Sequence, residues 1–157
     1  MKVPSALVTW FGVGYWPKAP GTWGSLTAVI MAAIIYLVLG TIGLLVCTLI
    51  TFLVGWIASN LYLRIKTASK EALQDPPEIV IDEVAGQWLT LTTIPFDPIL
   101  YAAGFTLFRL FDITKPWPIN ILDKNIKGGL GVMLDDIGAA LYAILFLQLL
   151  CYLMGKI

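Results

Sequence analysis

Residues 25–63 read SLTAVIMAAIIYLVLGTIGLLVCTLITFLVGWIASNLYL, a run of 39 residues without one charge. A helix crossing a bilayer needs about 20 apolar residues, so the run is long enough for two. Gly40-Thr41-Ile42-Gly43 at its centre is a turn-forming sequence and predicts a helical hairpin. The whole chain is in keeping: of 157 residues, 59% are hydrophobic and 13% charged, with a mean hydropathy of +0.86. Soluble domains carry about 25% charged residues and about 45–50% apolar ones. The composition therefore predicts an integral membrane protein forming a single domain over residues 1–157.

Outward from this run the charges come in clusters. Residues 3–16 are apolar and dotted with Gly12 and Gly14; the segment is too short to span and is expected to be interfacial or re-entrant. Sparse charges and interrupting Gly and Pro argue against a cleavable signal there. Gly21-Thr22-Trp23-Gly24-Ser25 opens the first long helix, with Thr22 or Ser25 as its N-cap. Arg64, Lys66 and Lys70 follow the second, which is expected to end near Gln74 before Asp75-Pro76-Pro77. Cations just beyond a span place that end on the cytoplasmic side.

Asp82-Glu83 opens an apolar stretch that Pro95-Phe96-Asp97-Pro98 breaks. Each arm of this Pro-broken hairpin has about 13 residues, about 20 Å of helix against about 30 Å of hydrocarbon. Its small residues suit close helix packing in lipid. The second arm ends in Arg109, Asp112, Lys115 and Pro116-Trp117-Pro118. Arg109 and Asp112 share a helix face, and Pro116 stops the helix near Lys115. Residues 113–134 are expected to be a loop, before Asp135-Asp136 starts a final span that runs from Ile137 to Gly155. The sum is an all-α, polytopic bundle of about five membrane-embedded helices.

Two hairpins return the chain to the side it left, so residues 17–25, 64–83 and 109–136 should share one aqueous face. That gathers Asp82, Glu83, Asp112, Asp135 and Asp136 with Arg109 and Lys115. Both acidic pairs stand at expected helix N-termini, where acids cap and meet the positive dipole end. Five carboxylates at one membrane face exceed what capping explains, because neighbouring carboxylates repel without a cation. With no histidine in the chain, the donors suit a hard divalent ion, Mg²⁺ by default, bound by Asp82, Glu83, Asp135 and Asp136. Gly21, Thr22, Gly24 and Ser25, at a helix N-terminus, are a candidate phosphate cradle beside Arg109 and Lys115. Metal, amides and cations together point to phosphoryl chemistry on a lipid.

Other classes fall away. A net charge of zero argues against nucleic acid. Cys47 and Cys151 lie in apolar runs, and neither has an arginine six residues on, which excludes a thiolate phosphate-binding loop. The absence of histidine excludes His-dependent lipid phosphatases. No Asp-Gly dipeptide occurs, as a CDP-alcohol phosphotransferase needs. A small membrane cation transporter or channel subunit stays as the alternative, although its carboxylates would sit near mid-membrane.

The chain resembles the phosphatidylglycerophosphatase A family. The resemblance is carried by Pro20-Gly21-Thr22-Trp23-Gly24-Ser25, Asp82-Glu83 with Gly86 and Trp88, Phe108-Arg109 through Lys115-Pro116-Trp117-Pro118-Ile119, Asp123 with Gly128-Gly129, and Asp135-Asp136. It implies a Mg²⁺-dependent phosphatase of the bacterial cytoplasmic (inner) membrane, multi-pass, with its active site facing the cytoplasm. The implied reaction converts phosphatidylglycerophosphate to phosphatidylglycerol and inorganic phosphate. In that reading Asp82, Glu83, Asp112, Asp135 and Asp136 are catalytic, Asp112 by orienting Arg109 or as general base. Direct attack by water is expected over an aspartyl-phosphate, because Asp112-Ile113-Thr114 lacks a second aspartate.

Overall fold

The structure, a computed structural model, describes residues 3–68 and 76–155, with the backbone alone for 122–124. All elements among the described residues are helical. They are α1 (Val3–Val8), a 3-10 turn (Val13–Tyr15), α2 (Pro20–Ala68), α3 (Ile81–Leu91), α4 (Pro98–Thr114), α5 (Ile119–Asn125) and α6 (Gly128–Leu153). Two of them, α2 and α6, are long and apolar enough to cross a membrane.

The 49 residues of α2 are two helices joined at Gly40, whose φ of 68° and ψ of −170° are not helical. That region of backbone space is open essentially to glycine alone. Side-chain contacts show that the chain reverses there. A β-carbon at Gly24 would lie 2.9 Å from Val80, and one at Gly55 would lie 3.3 Å from Ile81. In a straight helix residues 24 and 55 would be about 46 Å apart, yet they touch neighbouring residues. The expected hairpin is present.

The shortest of the main helices is the centre of the bundle. Nine of the eleven residues of α3 are buried. Val84, Trp88 and Leu91 pack with Ala28, Ala32 and Leu44 of α2, Leu100 and Tyr101 of α4, and Leu147 and Cys151 of α6. Trp88 Nε1 donates to the Ala28 carbonyl at 2.8 Å, a bond worth about 1 kcal/mol net. The α3–α4 break follows the sequence: Asp97 caps α4 by accepting from the amides of Ile99 at 2.8 Å and Leu100 at 3.1 Å, and Pro98 takes the first helical position. The N-terminal segment folds back, with the Val8 carbonyl accepting the Val80 amide at 2.8 Å.

Two expectations about the C-terminal third are corrected. Residues 113–134 are not one loop: they hold α5 and the first turns of α6. The final helix starts at Gly128, so Asp135 and Asp136 lie two turns inside it. The Gly128-Gly129-Leu130-Gly131 run is helical against glycine's low propensity because its bare backbone fits against α2. A β-carbon at Gly129 would meet the Trp56 carbonyl oxygen at 2.8 Å. The Asn60 side chain accepts the Gly129 amide at 2.9 Å and caps α6 from a distance of 69 residues. At the other helix start, Thr22 and Ser25 are not caps: α2 begins at Pro20, and the amides of Thr22 and Trp23 donate to the Ala19 carbonyl at 3.0 and 3.3 Å. Proline at the first helical position favours that start. The expected end of the second helix near Gln74 lies outside the described residues.

Because the groups facing Gly129 are backbone and cannot move aside, Gly129→Val should destabilise the protein by about 1–3 kcal/mol, the usual cost of overpacking. Thermal unfolding of the detergent-solubilised chain measures this. An unchanged melting temperature would break the proposed α2–α6 contact.

Candidate active site

Four helix segments meet around one cavity of about 220 Å³. The start of α2 contributes Gly21, and the first turn of α3 contributes Asp82 and Glu83. The end of α4 contributes Arg109, Asp112 and the capping Lys115, and the third turn of α6 contributes Asp135 and Asp136. Pro76, Pro77 and Ile79 close another wall. Five carboxylates against two cations leave these walls with a formal charge of −3.

Helix capping does not account for the acids. The N-cap of α3 is Val80, with no side-chain cap bond, and Asp135 and Asp136 are inside α6. Asp136 is 3% exposed and Asp135 5%. Carboxylates buried to that degree cost several kcal/mol unless charge or hydrogen bonds meet them.

The two cations are each committed. Arg109 pairs with Asp112 one turn on, lies 3.6 Å from Glu83 Oε1 and donates to Ser25 Oγ at 3.5 Å. The Ser25 hydroxyl donates in turn to the Gly21 carbonyl at 2.9 Å. Lys115 pairs with Asp135, whose other oxygen accepts the Asp136 amide at 3.1 Å.

Asp82, Glu83 and Asp136 form the remaining group, each offering one oxygen within 4.8 Å of the others. Among the described residues, Glu83 Oε2 and Asp136 Oδ2 are buried without a hydrogen-bond partner. Oxygens held by one hard cation at about 2.0–2.6 Å are at most about 4–5 Å apart. The three carboxylates therefore fit a divalent ion with sub-ångström adjustment, and the orphaned oxygens are what such an ion would satisfy.

The predicted residues separate into two groups. Gly21, Asp82, Glu83, Arg109, Asp112, Lys115, Asp135 and Asp136 all line the cavity. Thr22, Gly24 and Ser25 are not among its lining residues. Gly24 serves the close approach of α2 to Val80, and Ser25 supports Arg109 from behind. With the Thr22 and Trp23 amides taken by Ala19, the cradle expected from residues 21–25 narrows to the Gly21 amide. Asp135 faces Lys115, whereas Asp82, Glu83 and Asp136 carry the oxygens suited to an ion.

Two contributors escaped the sequence reading. Asn60 fixes the start of α6, and a lone amide in a charge-free apolar run was the available signal. Glu78 ties the 76–80 wall to α2 by accepting from Lys66 and from Tyr62 Oη, the latter at 2.8 Å. Burial alone would raise the Glu78 carboxyl, but the hydrogen bond from Lys66, helped by its backbone amide and Tyr62, holds it below the usual range.

A family model described as Phosphatidylglycerophosphatase A matches residues 6–151. Phosphatidylglycerophosphatase A of Haemophilus influenzae is 40% identical over 151 residues, covering 94% of this chain and 88% of that one. Its Escherichia coli counterpart is 39% identical over 134 residues, covering 85% and 74%. A Bacteroides thetaiotaomicron protein provisionally named a phosphatidylinositol-3-phosphatase is 37% identical over 169 aligned positions, covering 99% and 100%. No solved structure matches.

Gly21 gives a test that separates site from fold. A β-carbon there would run into Glu83 Oε1, the tip of a side chain that can shift, and lie 3.1 Å from an Arg109 nitrogen. Gly21→Ala should therefore keep or slightly raise the melting temperature, since alanine is the better helix former. Phosphate-ester hydrolysis should fall at least about tenfold, the effect of losing about 1.4 kcal/mol of transition-state stabilisation. Full activity in this variant would remove the Gly21 edge from the site.

Proposed function

Because this chain belongs to the phosphatidylglycerophosphatase A family, we propose that it is a Mg²⁺-dependent hydrolase of phosphatidylglycerophosphate. Its products are phosphatidylglycerol and inorganic phosphate. The observation that carries this reading is the convergence of Asp82, Glu83 and Asp136 with Arg109 and Lys115 on one cavity. A phosphate monoester carries a charge of about −1.5 to −2 and needs both a metal-suited group and cations. The Bacteroides relative's name points to another headgroup; both names share a phosphate monoester on a lipid, and the choice of substrate follows the family.

Size and surface support a lipid substrate at a membrane. The cavity, at about 220 Å³, is below the usual range of about 300–1,000 Å³ for drug-sized ligands. It takes a headgroup phosphate and leaves acyl chains outside. Leu37, Val38 and Ile42 near the α2 reversal are 67–78% exposed, an apolar surface suited to lipid. We place both halves of α2, the short α3 and α4, and α6 in the bacterial inner membrane as five embedded helices. The exposed Trp23 and Trp117, each two residues from a cavity residue, would lie at the interface. Arg64 and Lys66 set that face to the cytoplasm.

Asp82, Glu83 and Asp136 would hold the ion. When bound, Mg²⁺ supplies charge neutralisation at the transferring phosphoryl group and acidifies water. Arg109 presents its fork to phosphate oxygens, with Asp112 and Ser25 fixing its plane. Lys115 and the Gly21 amide take further oxygens. Asp112 is committed to Arg109 and acts as its positioning group. Water attacks phosphorus in line, the P–O bond to the lipid breaks, and one proton of the water ends on the departing oxygen to give the lipid alcohol.

Asp82→Asn, Glu83→Gln and Asp136→Asn should each lower hydrolysis about 100-fold or more, the scale for losing a group that meets developing charge. Asp97→Asn should stay near wild type, since Asn caps as well as Asp. Phosphate release from vesicles measures both, and near-normal turnover in the three site variants would rule out the metal group. One displacement inverts configuration at phosphorus, so a chiral thiophosphate ester should be hydrolysed with inversion. Net retention would point to a covalent intermediate instead.

A further inference from the structure

Lys115 and Asp135 are the two cavity residues whose roles conflict. Lys115 is suited to phosphate, yet its ammonium is paired with Asp135. Asp135 adjoins Asp136 in the ion-suited group, yet its charge is directed to Lys115. We propose that this pair is an exchange element coupling the two ligands: phosphate draws Lys115 off Asp135, and Asp135 then turns to the divalent ion as a further ligand. The proposal rests on the reading of Asp82, Glu83 and Asp136 as the ion's ligands.

Three observations favour Lys115 over Arg109 as the group that moves. The Arg109 side chain is 14% exposed and meets Asp112, Glu83 and Ser25 together, which fixes its planar fork. The Lys115 side chain is 27% exposed and ends in a point charge on a flexible stem. Its backbone is fixed by the left-handed cap at φ 39°, ψ 62°, with Pro116 next, so movement is confined to the side chain.

Charge makes the exchange necessary. A phosphate dianion entering walls of formal charge −3 is repelled. A divalent ion reduces that to −1, and a lysine transferred from carboxylate to phosphate supplies the local attraction. Taking Lys115 from Asp135 removes a charge partner from a carboxylate whose side chain is 6% exposed, a cost that a divalent ion would offset. Ion and phosphate therefore each lower the cost of binding the other, and linkage makes the effect reciprocal.

The test is calorimetric titration of Mn²⁺, and separately Mg²⁺, into the full chain in detergent, with and without inorganic phosphate. In the unmodified protein, phosphate should tighten ion binding about tenfold, within the usual range of coupling. Asp135→Asn should bind the ion at the phosphate-free affinity whether or not phosphate is present. Lys115→Met should bind it more tightly without phosphate and respond little to it. Ion binding that ignores phosphate in the unmodified protein would overturn the exchange. Undiminished coupling in Asp135→Asn would also overturn it, since the phosphate would then be contacting the ion directly. No saturable ion binding, or full affinity in Asp136→Asn, would instead overturn the underlying metal site, and the exchange with it.

Discussion

A carboxyl group placed two turns inside an apolar helix has to be met by positive charge, hydrogen bonds or a proton, and Asp136 imposes that condition on the bundle. At 3% exposure it cannot be left to water, and its Oδ2 has no hydrogen-bond partner among the described residues. The ends of α2, α3 and α4 all approach α6 at this level, bringing Arg109, Lys115 and the candidate ion ligands into one cavity. Helices too short to be stable alone are used where the charges are. The 11-residue α3 carries Asp82 and Glu83 and is also the most enclosed element.

Glycine makes that convergence possible. At Gly86, α3 lies between Phe108 of α4 and the Asp136 carbonyl of α6, both within 3.0 Å of where a β-carbon would stand. At Gly129 the backbone of α6 approaches that of α2. Small residues at a helix contact let the backbones approach closely. The same glycines that bring the helices together bring oxygens of Asp82, Glu83 and Asp136 within 4.8 Å of one another.

Local chemistry was legible in the sequence. The reversal at Gly40, the break at Pro95-Phe96-Asp97-Pro98 and the stop before Pro116 each follow from residues within a few positions of the event. So did the roster of cavity charges, because two hairpins bring chain segments back to one face whatever their detailed packing. Long-range partners were not legible. The start of α6 was misplaced because the Gly128-Gly129 run carries no local helix signal, and the amide that caps it belongs to Asn60. For the same reason Asp135 and Asp136 read as an N-terminal pair when they lie in a helix interior. The Thr22 and Ser25 hydroxyls read as caps until Pro20 and the Ala19 carbonyl took that place.

Lys115 occupies a left-handed backbone position where glycine is the residue helix ends favour. Holding a non-glycine residue there costs about 1–3 kcal/mol, and the protein accepts this to put an ammonium group over the cavity. Glycine would relieve that strain but would also take the charge partner from the Asp135 side chain, which is 6% exposed, and breaking a buried pair costs more than the cap does. The ion pair therefore holds the strained backbone in place. A heat-resistant variant has to keep a cation at position 115, so the usual remedy of a glycine at a left-handed helix end fails here.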